Sequence, residues 1–115
     1  MVWSKDIKQA ICCGVSLESL GINNWALTKQ QALSALEYFK IKKAIVLGGD
    51  VCSIKGQNPE LNYDSWHCDR NSNETLDDFS KRSILVATDY IKNYTLPNRE
   101  KAYFVLVVLS SPENL

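Results

Sequence analysis

The side chains able to do chemistry are concentrated between Asp50 and Asp78. Seven acids, Asp50, Glu60, Asp64, Asp69, Glu74, Asp77 and Asp78, stand there against two bases, Lys55 and Arg70, a local charge of −5. The whole chain has 13 Lys plus Arg and 13 Asp plus Glu, so the remainder carries +5 and the zero total hides a lopsided molecule. Asp50, Asp64 and Asp69 are the carboxylates from which a Mg²⁺ site or a general acid–base pair would be built. Their spacings of 14 and 5 residues match no motif with a mechanical rationale. Neither a phosphate-cradling glycine loop nor a nucleophile elbow accompanies them. A small metal-dependent or ligand-binding enzyme using these three residues is therefore the alternative reading. Gly48-Gly49-Asp50 alone reads as a bend or bulge.

His67 beside Cys68 suggests a nucleophilic dyad, but neighbouring strand residues point to opposite faces and cannot bond side chain to side chain. His67 is then a surface or interface residue and Cys68 a small buried apolar group. The four cysteines, Cys12, Cys13, Cys52 and Cys68, contain no Cys-x-x-Cys spacing, and His67 is the single histidine. No metal and no cofactor is expected on that pattern, and free, mostly buried thiols are favoured over disulfides. What remains for the acids is binding. A negative field concentrated on loops steers a basic partner, whereas the plainer reading makes them solvated loop charges with two helix-dipole acids. Trp25 and Trp66 are read as core residues first and as binding anchors second.

These residues need elements to hold them. Ser4 caps a first helix whose apolar positions Ile7, Ala10, Ile11, Gly14 and Val15 form one stripe. Ser16 to Leu20 continues it or makes a short turn, stopped by a left-handed Gly21. Thr28 and Gln31 form a capping box for a second helix with Ala32, Leu33, Leu36 and Phe39 inward and Lys40, Lys42 and Lys43 at its negative end. Ala44 to Leu47 reads as a strand interrupted by Gly48-Gly49, and Val51 to Ile54 resumes it. A loop from Lys55 to Glu60 leads to a partner strand from about Leu61 to Cys68. Leu61 and Tyr63 share one parity there and Trp66 and Cys68 the other, so the strand bulges near Ser65 or ends. Thr75 caps the longest helix, on which Leu76, Phe79, Ser83, Ala87, Tyr90 and Tyr94 repeat at helical spacing until Pro97-Asn98 closes it. Tyr103 to Leu109 is apolar on both parities and reads as the central strand, with a frayed tail after Ser110. The order predicts an α+β (α/β layer) fold: a small, mostly antiparallel sheet of three to four strands packed by about three helices.

The length of 115 residues predicts one domain over 1–115, and 45% apolar with 23% charged residues is ordinary globular composition. Zero net charge disfavours direct binding of nucleic acid or of an anionic membrane. Met1 to Asp6 carries polar and charged residues where a signal peptide would be apolar, and no run is long enough to span a bilayer, so a cytoplasmic location is expected.

Four strings, Gly21-Ile22-Asn23-Asn24-Trp25-Ala26-Leu27-Thr28, Leu47-Gly48-Gly49-Asp50-Val51, Tyr63-Asp64-Ser65-Trp66-His67-Cys68-Asp69 and Tyr103-Phe104-Val105-Leu106-Val107, together resemble the immunity protein 40 family. The position of His67 is often aromatic in that family, so this chain departs from the pattern there. The resemblance implies a bacterial immunity protein, encoded beside a polymorphic toxin such as those of contact-dependent growth inhibition. It implies a stoichiometric inhibitor of that toxin domain, with no turnover of its own. If the toxin is a nuclease its cleft is basic, and an acidic patch would fill it in place of phosphates. On that expectation Asp50, Asp64, Asp69, Glu74, Asp77 and Asp78 flank the toxin-facing surface, with Trp66 and His67 as central contacts.

Overall fold

Thr28 ends one element and begins another. Its hydroxyl accepts from the Gln31 amide at 3.1 Å while the Gln31 side chain accepts from the Thr28 amide at 3.0 Å, the capping box expected from the sequence. The structure, a computed structural model, describes residues 5–96 and 100–109. In chain order these form α1 (Lys5–Ile11), β1 (Val15–Ser16), a 3-10 turn (Glu18–Leu20), β2 (Trp25–Thr28), α2 (Lys29–Lys42), β3 (Ile45–Lys55), β4 (Asn58–His67), α3 (Leu76–Asn93) and β5 (Tyr103–Leu109). The Ser4 cap, the Pro97-Asn98 stop and the tail from Ser110 lie outside the described residues.

The sheet has five strands in the order β1-β2-β5-β3-β4, every pairing antiparallel. The sequence reading of three to four strands missed β1 and β2, which are two and four residues long, too short for alternation to register. Tyr103 to Leu109 sits in the middle, as its two-sided apolarity required. The predicted stripe of the first helix ends at Ile11, and Val15 belongs to a strand instead. Gly14 lies against the next strand, where a Cβ would come within 2.4 Å of the Ala26 carbonyl oxygen. Gly21 is left-handed at φ 73° and closes the 3-10 turn.

At the glycines of β3 the expected bulge is present, and the expected break in the strand is not. The strand runs unbroken through Gly48 and Gly49, with a register shift between Val46 and Gly48 against β5. A Cβ on Gly49 would lie 2.3 Å from the Trp66 ring, and one on Gly48 2.3 Å from the Trp66 carbonyl oxygen. Their role is to let Trp66 and its backbone lie close against β3, not to turn the chain. The following loop is also shorter than expected: Lys55 pairs with Asn58, and Gly56 takes φ 65° in a two-residue turn.

The helices build the main core on one sheet face. Ile7, Ile11, Leu36, Phe39, Ile84, Ala87 and Ile91 meet Leu27, Val46, Val51, Trp66, Phe104, Leu106 and Val108. Two serines fasten α3 to the start of β3: Ser80 Oγ donates to the Ala44 carbonyl at 2.6 Å and Ser83 Oγ accepts from the Val46 amide at 3.0 Å. On the opposite face there are two smaller clusters. Leu17 with Ile22 covers Ala26, Cys52 and Val105. Phe79 and Leu76 cover Ile45, Cys68, Leu47 and Leu109.

Candidate functional site

The register places Gly48 opposite His67 and Asp50 opposite Ser65, on the sheet face away from the main core, which α3 covers only at the Leu76 and Phe79 end. Leu47, Gly48, Gly49, Asp50, Ser65, Trp66, His67 and Val107 line a shallow depression of about 220 Å³ there. Its walls are polar: Asp50 is exposed, and His67 Nε2 lies 3.9 Å from an Asp69 oxygen with both side chains open to solvent. Among the described residues Asp50 has no ion-pair partner.

The other acids expected at this surface go elsewhere. Asp64 accepts a hydrogen bond from the Tyr94 hydroxyl of the helix layer at 2.5 Å. Glu74 is correctly placed in sequence but engaged in structure. Arg82 donates to both its oxygens at 2.7 Å, the Asn71 amide donates to Oε1 at 3.1 Å, and the Glu74 side chain is 11% exposed. The Arg82 hydrogen bonds hold its carboxyl down to about 2. It is a latch for the loop before α3 and not a free charge. Asp77 pairs with Lys81 at 3.2 Å and with Lys43 at 3.6 Å. Asp78 is exposed in the first turn of α3, where its amide donates to the Thr75 cap.

Trp66, expected as a central contact, is largely enclosed by the fold. It is 8% exposed and its indole stacks on Tyr90 at 4.6 Å between centroids, continued by Tyr90 on Tyr94 at 5.6 Å. Its Nε1 is buried without a hydrogen-bond partner among the described residues, so the ring serves as core. Trp25 is half-buried against the same core.

The three carboxylates of the alternative enzyme reading are not brought together in the structure. Asp50 is on the open face while Asp64 turns to the helix layer, and among the described residues no three His, Cys, Asp or Glu side chains gather where they could hold a metal ion. The His67 and Cys68 side chains do part to different surroundings, one exposed and one buried. Burial raises the Cys68 thiol above its ordinary range, against the shift a nucleophile needs, and pushes Cys52 up to about 11. The expectation of mostly buried thiols holds for these two alone; Cys12 and Cys13 are exposed. No helix of the described residues is long and apolar enough to cross a membrane.

One residue was missed. Tyr63 is 90% exposed and adopts φ 69° in a bulge of β4. The signal available was the parity pattern around Leu61 and Tyr63, which located a bulge without indicating what it displays.

No curated protein and no solved structure matches the chain. The sequence pattern of the family described as immunity protein 40 matches residues 16–108 of the 115. That span takes in β2, α2, β3, β4 and α3 whole, together with the open sheet face and its depression. The chain belongs to the immunity protein 40 family.

Proposed function

We propose that this protein neutralises a cognate toxin domain in the producing bacterial cytoplasm by stoichiometric binding, without a reaction of its own. The family match over residues 16–108 carries the immunity reading. What favours the open sheet face as the contact is the depression lined by exposed Asp50 and His67, with exposed Asp69 3.9 Å from His67, on the paired strands β3 and β4. Asp64, Asp77 and Asp78 add to the long-range negative field, while Glu74 and Trp66 hold the structure that presents it. A basic toxin cleft, as in a nuclease, is the complementary surface.

The test is association kinetics between this protein and the toxin domain encoded beside its gene. Replacing Asp50 and Asp69 by Lys together slows association by tenfold or more at low salt, by loss of electrostatic steering, while circular dichroism and unfolding stay those of the parent. An unchanged association rate with unchanged salt dependence removes the charge argument.

A further inference from the structure

The bulge of β4 is built to display Tyr63. Asp50 pairs with Ser65 and Cys52 with Leu61, so Asn62, Tyr63 and Asp64 stand opposite Val51 alone, two residues more than the ladder needs. The surplus is held on both sides of Tyr63. The Asp64 amide donates to Asn62 Oδ1 at 3.0 Å, Asn62 Nδ2 donates to the Tyr94 hydroxyl at 3.0 Å, and that hydroxyl donates to Asp64 at 2.5 Å. Tyr94 is itself fixed by stacking on Tyr90 and by an edge contact with Phe104 at 5.8 Å. Between these two fixed neighbours Tyr63 takes a left-handed φ of 69°, unfavourable for a bulky side chain, and sends its ring 90% into solvent. Among the described residues the Tyr63 hydroxyl has no hydrogen-bond partner, so the flanking bonds of Asn62 and Asp64, and not the tyrosine side chain, hold this conformation.

A strained backbone, a rigid support and an exposed aromatic ring together are the properties of a pre-organised interface anchor. Tyrosine carries large contact area with few torsions to freeze, which is why it recurs among residues that dominate binding energy. The chain neighbours indicate what it enters: exposed Leu61 precedes it by two residues, the exposed carboxylate of Asp64 follows it, and Glu60, three residues before, is exposed and paired with Lys55 at 3.8 Å. We infer that Tyr63 inserts into an apolar pocket with a basic rim on the toxin domain, and that the bulge exists to hold it there. This rests on the immunity reading and names a contact that reading does not require.

The experiment measures affinity of the full chain for the toxin domain encoded beside its gene, by calorimetry, for the parent, Tyr63→Ala and Tyr63→Asn. Asn tolerates the left-handed region, so this variant melts no lower than the parent and isolates loss of the ring. Both variants are expected to bind at least about thirtyfold more weakly, the scale of an interface hot spot. Parental affinity in both variants overturns the anchor and leaves the immunity reading standing. A parent that does not bind the toxin overturns both.

Discussion

Tyr94 and Asp64 join the end of α3 to the edge strand of the sheet through one hydrogen bond of 2.5 Å, hydroxyl to carboxylate. The bond ties the helix that closes the core to the bulge that leaves it. Because the same phenol also accepts from Asn62, removing one oxygen atom loosens both flanks of Tyr63.

Alkaline pH tests that bond. Burial first, and then the bond to Asp64, push the Tyr94 phenol from 10.0 up to about 12. A raised phenol contributes stability that is fully present below pH 10 and is lost as pH rises through about 12, since the unfolded chain releases its proton sooner. Urea unfolding at intervals across that window is expected to give a steeper loss for the parent than for Tyr94→Phe.

The Glu74–Arg82 pair makes the opposite prediction at acid pH. The carboxyl sits at about 2 against an ordinary 4.5, so its contribution is complete above pH 4.5 and disappears as pH falls through about 2. Glu74→Gln is expected to lower the melting temperature at pH 7, with the difference from the parent narrowing toward pH 2. A constant difference would mean that the pair is not what holds the loop.

Gly49 is expected to be intolerant of even a methyl group. A Cβ at 2.3 Å from the Trp66 ring and 2.4 Å from the Val105 carbonyl oxygen has no flexible neighbour on the backbone side to displace. Gly49→Ala should destabilise by about 1–3 kcal/mol, the scale of core overpacking, in equilibrium urea unfolding.

Thr28→Ala removes the hydroxyl that accepts from the Gln31 amide and half of the capping box with it. A loss of about 1 kcal/mol in the same assay is expected, without change in the unfolding slope.

Much of this architecture was legible in the residues because local chemistry and tertiary demand agree. Thr28 with Gln31, Thr75 ahead of two acids, and the stripe ending at Tyr94 each specify a helix boundary that packing has no reason to move. Gly48 and Gly49 misled for a physical reason: glycine reads locally as a break, whereas here it makes room for a ring contributed by the neighbouring strand. Trp25 to Thr28 is a strand because β5 offers it partners, and Asn24 prolongs that contact by donating from its side chain to the Leu106 carbonyl at 2.9 Å. Such pairings are set by distant residues and leave no trace in a four-residue pattern. The local excess of acids is visible in the sequence, but composition does not distinguish a solvent-facing Asp50 from a Glu74 gripped by Arg82. The exposed anchor was hidden for a similar reason, since an isolated tyrosine in a strand reads as half-buried until the ladder slips by two residues.

Disarming a toxin by occupying it, as proposed, fixes the stoichiometry of inhibition. The most direct measurement titrates the purified full-length protein into the active toxin domain encoded beside its gene and follows toxin activity. Toxin activity is expected to fall linearly to zero at one inhibitor per toxin, with both proteins recovered chemically unchanged. Full toxin activity at molar excess, or inhibition completed by a small fraction of an equivalent, would contradict it.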